Sequence, residues 1–250
     1  LQLLIRARET RKAMVFGTLL LVVLGVDVMT HMARQNPTVP PGLALQPNAP
    51  DIARAREITP APEFGVGRAA LTVKALEELR FRYTPDLAND FLIFRLSLFN
   101  NTNLLDGLAK TDGFYSLYLG HSYEVTHSLL HPPYGRPEAL LDFLNVSHIS
   151  AARAAYEWDK RDTAMPLVTV GQAPAYETDW AACDRLFQKA FRPREVVYLP
   201  PEAASAIGER PRTEGKVSDL TVSPQRISAT LEAEAPTMAV ISQSYYHPCR

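Results

Sequence analysis

The chain has 250 residues, 26 basic against 27 acidic side chains, a net charge of -1 and an apolar fraction of 46%. That length builds one large domain or two small ones, and the charge balance supplies no field that would draw the protein to nucleic acid. Cys183 and Cys249 are the two cysteines, with no CxxC pair and no Cys/His cluster, which argues against a disulfide-stapled miniature fold and a zinc site. They pair only if the fold brings them together.

From Ala13 to Val26 the only polar residue is Thr18. A helix from Ala13 to Met32, at about 1.5 Å per residue, spans roughly 30 Å, the thickness of a bilayer's hydrocarbon core. Arg6, Arg8, Arg11 and Lys12 precede it, which by the positive-inside rule places the N-terminus in the cytoplasm and the body of the protein outside. We read 1–12 as a basic flank and 13–32 as a transmembrane helix. A secretory signal and a buried core helix are the rival readings. The first lacks a small-x-small site close behind the run, and the second gains from Asp27, which interrupts it. Asp27 is expected near the outer interface or against a neighbouring helix. The chain opens on apolar LQLLI and reads as cut there.

Residues 33–65 carry Pro37, Pro40, Pro41, Pro47, Pro50, Pro60 and Pro62, a density that favours extended chain and reads as a stalk. Thr72 can cap a helix with Leu76, Leu79 and Tyr83 on one face and Glu78 four residues before Arg82. A second helix is expected from Asp86 through FLIFRLSLF, burying Phe91, Phe94 and Leu98 and stopping at NNTN. Asp112-Gly113 signals a turn, and Pro132-Pro133 ends the helix before it. PEALLDFL reads as a short helix, NVSHISAA and MPLVTVG as strands, TDWAACDRLFQKAF as a helix with Trp180, Cys183, Leu186 and Phe187 inward, and EVVYLP as a strand. The region 66–212 is therefore mixed α and β. From 213, KVSDLTVSPQRISATLEAEAPTMAVISQSYY alternates apolar and polar residues with turns at Ser223-Pro224 and Ala235-Pro236, a three-stranded antiparallel pattern that stops abruptly, as the start of a truncated β-sheet domain. The expected fold class is α+β: one N-terminal transmembrane helix, then a mixed α/β extracytoplasmic domain ending in antiparallel, sandwich-like strands.

No GxSxG, HExxH, glycine-rich phosphate loop or Rossmann fingerprint occurs, so no residue is assigned a catalytic role and no cofactor is called for. His127 and His131 stand four apart near Glu124 without the rest of a metal site. Asp106, Asp112 and Glu124 are unaligned acids, more often solvated than paired for glycoside chemistry. The segment NNTNLLDGLAKTDGFYSLY is the best ligand surface: its amides, carboxylate and tyrosines suit sugar hydroxyls and a sugar's C–H face. The competing reading is a packed loop whose asparagines bond the backbone and whose aromatics fill the core.

Taken in order, LLLVVLGVDV, the proline stretch, FRLSLFNNTNLLDGLAKTDGFYSLY, LLDFLNVSHIS, AMPLVTVG and MAVISQSYYHP resemble the bacterial YfhO-like membrane proteins from about Val22 to Arg250. SYYHPCR stands where that family has a YYPGW-type turn, with Cys249 in place of the Trp. The resemblance implies a polytopic glycosyltransferase of the GT-C type in the bacterial cytoplasmic membrane. Such an enzyme uses lipid-linked sugars on the outer face to modify cell-envelope polymers, its partners being the bilayer, the lipid-linked sugar and the envelope glycopolymer. It also implies that the catalytic carboxylates lie upstream of Leu1, so that this chain is the last span and the start of the external domain. Arg95, Asn101, Asp112 and Tyr115 match the family's recognisable segment and are the candidate substrate-binding residues. The alternative function is a non-catalytic, membrane-tethered binding or scaffolding domain.

Overall fold

The computed structural model describes residues 2–35, 39, 41–42, 50–82, 86–114, 119–130 and 135–244, and the chain divides into two compact units, Leu1–Pro40 and Pro41–Arg250. The first unit is built on α1 (Gln2–Gln35), longer at both ends than the apolar run alone requires. Its segment Thr10–His31 is the one described helix long and apolar enough to cross a membrane, and none of its most apolar stretch is buried. Leu21 and Met29 are 70% and 81% exposed. Asp27 is satisfied within the helix: its carboxylate lies 3.1 Å from His31 Nδ1 one turn on, and Thr30 Oγ1 donates to Val26 O.

In the second unit, the stretch expected to be extended forms α2 (Pro50–Ile58). The prolines flank rather than interrupt it: Pro50 stands at the first position, where its fixed φ suits a helix, and the next prolines are Pro60 and Pro62. Ile52, fully buried against Leu96, and buried Pro62 tie this segment into the core.

β1 (Arg68–Ala70) pairs in parallel with β2 (Val146–Ser150), which pairs antiparallel with β3 (Trp158–Lys160). On its other edge β1 holds the 109–111 segment: Ala69 N donates to Ala109 O and Thr111 N to Ala69 O, both at 3.0 Å. Thr72 caps α3 (Val73–Arg80) as expected, accepting from Ala75 N at 3.2 Å, while its own N–H donates to the buried Ser150 Oγ. Tyr83 lies outside the described residues, and Arg82 reaches Asp90 at 2.9 Å rather than Glu78.

α4 (Leu87–Leu96) is capped by Asp86, which accepts from Asn89 N at 3.1 Å. It ends three residues earlier than the sequence pattern suggests, because Leu98 and Asn100 take positive φ of 55° and 52°. That turn drops Leu98, fully buried, into the core beside Ala69, Leu79, Ile93 and Trp158. Burying such a side chain is worth about 1.5–3 kcal/mol, enough to offset a strained left-handed residue. The fully buried polar residue of α4 is Arg95, with Phe91 and Phe94 only half-buried. A one-turn 3-10 helix (Thr102–Asp106) follows and closes on Gly107.

α5 (Gly120–Leu130) and α6 (Glu138–Phe143) precede β2, with Leu140 and Leu141 buried. β4 (Val168–Val170) and β5 (Ala173–Tyr176) follow, β5 pairing in parallel with β6 (Val196–Leu199). Between β5 and β6 runs α7 (Asp179–Phe187). Phe187 is buried as expected and Cys183 and Leu186 are half-buried, but Trp180, expected inward, is 75% exposed. It stands in the first turn of a short helix whose last turn alone reaches the core.

β7 (Gly215–Ser223) and β8 (Arg226–Ala233) form the expected hairpin. The third strand, β9 (Ala239–Ile241), does not continue that sheet: it pairs antiparallel with β4. Pro236 breaks the meander, and the β4 edge supplies the missing ladder, extended by Ser242 N donating to Leu167 O and Gly171 N to Met238 O. Gly171 is the fixed point of this junction. Its φ is +107°, and a Cβ there would stand 2.3 Å from Thr213 O, a backbone atom with no room to yield. Gly171→Ala is therefore expected to cost about 2–4 kcal/mol, read as a lowered urea midpoint of the full chain in detergent.

Candidate functional site

Because 109–111 runs along the free edge of β1, it delivers Lys110, Thr111 and Asp112 to the region where α3 starts and α5 and α6 pack. A cavity of about 260 Å3 lies there, walled by Ala70, Leu71, Leu129, Leu141 and Ile149, with Thr72, Thr111, Thr126 and Asp112 as polar groups and Lys74 and Arg136 also lining it. Lys74 Nζ spends one of its three donors on Ala152 O at 3.1 Å, and Arg136 Nε pairs with the Glu138 carboxylate.

The electrostatic centre is Asp112. Its side chain is 17% exposed, Oδ2 lies 3.4 Å from Lys110 Nζ, and Oδ1 is buried with no hydrogen-bond partner. Lys110 is 2% exposed at its side chain and donates to Leu98 O at 2.7 Å, a carbonyl turned toward it by the left-handed turn after α4. Burial pushes the Lys110 ammonium below its ordinary value, opposed by the Asp112 carboxylate. Oδ1 has essentially no accessible surface, so the cost of burying it is offset by the neighbouring Lys110 charge rather than by a group in the cavity.

Of the residues singled out from sequence, Asp112 is the one the structure places on this cavity. Asn101 stands behind it as a clamp: its Nδ2 donates to Phe114 O at 2.6 Å and its Oδ1 accepts from Phe114 N at 2.8 Å, fixing the segment that carries Asp112 and presenting a 70% exposed Phe114. Arg95 is not brought to the cavity. It is fully buried and forks onto Asp106, with Nε to Oδ2 at 3.2 Å and Nη2 to Oδ1 at 2.6 Å. Tyr115 lies outside the described residues, as do His131 and Cys249. Asn103 Nδ2 donating to Leu108 O and Thr102 Oγ1 donating to Phe99 O also follow the packed-loop reading of this segment, whereas the exposed Leu104 and Phe114 do not.

Sequence reasoning missed Lys110, Lys74, Thr126 and Arg136, and read Thr72 as a helix cap alone. Lys110 had a local signal, a base two residues before an acid at a turn; the others meet only through β1 and the packing of α5 and α6. Elsewhere, Asp106 is committed to arginines, and burial pushes the Cys183 thiol up with help from the Glu124 and Asp184 charges. His127 stacks on Tyr123 with ring centres 5.7 Å apart. Among the described residues no three His, Cys, Asp or Glu side chains stand together as metal ligands.

No protein-family model, curated protein or solved structure matches this chain.

Proposed function

We propose that this chain is the membrane-anchored, extracytoplasmic part of a bacterial cell-envelope protein of the YfhO-like kind, and that it holds a saccharide for transfer from a lipid carrier, the chemistry lying outside these residues. The observation that carries the reading is the Asp112 cavity: apolar walls with threonine hydroxyls and a carboxylate residue among its lining are what one face and the hydroxyls of a sugar ring suit. The exposed apolar helix Thr10–His31 behind basic residues supports the membrane setting and its orientation.

The test is made in the cells that produce the protein, with Thr126→Trp filling the cavity from α5. We expect sugar incorporation into the envelope polymer to fall by about tenfold or more, with membrane levels of the protein unchanged. Unchanged incorporation would return the chain to the class of tethered binding domains with no part in transfer.

A further inference from the structure

Resting on the saccharide reading above, we infer that the sugar held in this cavity is acidic, a hexuronic acid whose ring lies on the apolar wall and whose carboxylate meets Lys74 and Arg136. Size comes first. At about 260 Å3 the cavity falls just below the usual range of ligand sites, roughly 300–1,000 Å3, so it holds one ring and leaves the rest of a longer glycan outside.

Charge decides the class. Three charged residues line the cavity, Lys74, Asp112 and Arg136, and the acid among them is already matched: Asp112 Oδ2 lies 3.4 Å from the Nζ of Lys110, whose side chain is almost wholly buried. The two cations are matched less completely. Lys74 spends one donor on Ala152 O, a neutral acceptor, and keeps two protons and its charge. Arg136 pairs through Nε with Glu138, but that carboxylate also holds the buried Arg161 at 2.9 Å. The terminal nitrogens of Arg136 have no partner among the described residues. Taken with everything they pair to, the cations Lys74, Lys110, Arg136 and Arg161 face the carboxylates of Asp112, Glu138 and Asp142, which leaves one positive charge in excess.

A single ligand carboxylate balances that excess. A neutral hexoside leaves it to water, and an amino sugar adds to it. The wall from Thr72 to Lys74 is the first turn of α3, and the positive end of its dipole acts in the same sense. Position fits as well. Lys74 and Arg136 are exposed residues, so the ligand charge stays at the open side and is never fully desolvated, while the buried Leu71, Leu141 and Ile149 take the C–H face of the ring.

The test uses the purified full chain in detergent micelles at low ionic strength and saturation-transfer NMR with three probes: methyl hexuronides of the gluco, galacto and manno series, the matching neutral methyl hexosides, and cyclohexanecarboxylate, an acid of ring size without hydroxyls. At least one hexuronide is expected to bind about tenfold more tightly than its neutral counterpart and than the cyclohexane acid. Lys74→Met combined with Arg136→Met is expected to bring the hexuronide to the level of the hexoside, with the urea midpoint as the folding control. Raising salt to about 0.5 M is expected to shrink the same preference in the unsubstituted chain. A hexoside that binds as tightly as the hexuronide, or a preference that survives loss of both cations, overturns the acidic assignment while the saccharide reading stands. Cyclohexanecarboxylate binding as tightly as the hexuronide, or no binding by either sugar, removes both.

Discussion

Asp106→Asn is expected to destabilise the 41–250 unit by about 3–5 kcal/mol. The Asp106 side chain is 1% exposed and sits between two guanidiniums, Arg95 at 2.6 Å and Arg56 at 3.1 Å. Neutralising it leaves the buried Arg95 and the mostly buried Arg56 as two cations facing each other, and the geometric fork from Arg95 loses its matching acceptor. Trp158, buried with its indole N–H donating to Leu96 O at 3.2 Å, reports loss of this packing, so urea unfolding of the full chain in detergent can be followed by its fluorescence. Arg56→Met is the contrasting variant. Arg56 Nε and Nη1 are buried without hydrogen-bond partners, and burial pushes its guanidinium below the ordinary value. Removing that cation sheds a desolvation cost along with a bond, and the net change is expected to stay within about 1 kcal/mol. Equal effects from the two variants would mean that Asp106 is not the centre of this cluster.

Replacing Leu20 and Leu24 together by arginine is expected to release the protein from membranes into alkaline carbonate, whereas the double alanine variant stays in the pellet. Each arginine near the middle of a span costs about 2.5–3.5 kcal/mol on insertion, and the two lie one turn apart, so both cannot be placed at favourable depth. The two leucines are 52% and 49% exposed. The substitutions lie outside the 41–250 unit, whose urea midpoint is the folding control and is expected to match that of the unsubstituted chain. Carbonate resistance retained by the arginine variant would argue against a span. A lowered midpoint would instead mark α1 as packing against the domain.

Local signals were sufficient wherever one stretch of chain satisfied itself. The apolar helix, the Thr72 and Asp86 caps, the β2 and β4 strands and the β7–β8 hairpin follow from side chains within a few residues of each other. The signal failed where a distant partner changed the outcome. Proline density suggested extended chain at 50–62, but Ile52 found a seat against Leu96 and the proline-free stretch coiled to fill it. Alternation suggested that β9 would join β8, but β4 had an edge to offer after Pro236 had broken the meander. Trp180 was expected inside from its spacing alone, and a helix of nine residues placed it beyond the core.

The candidate site divides in the same way. Asp112 stood out in the sequence as an acid at a turn beside amides and aromatics, and Asn101 and Arg95 as polar residues of the same segment. Their different fates are tertiary. Arg95 meets Asp106 through the short 3-10 turn and is spent on the fold, Asn101 closes on Phe114, and Asp112 comes to line a cavity because 109–111 adds to the edge of β1. By itself the sequence determined that the chain has a helix long and apolar enough for a bilayer and an α+β body, since hydrophobic periodicity and capping act over one or two turns. Only the tertiary structure decided which polar groups are consumed in holding that body together and which face an empty space, because burial and hydrogen-bond satisfaction depend on partners far along the chain.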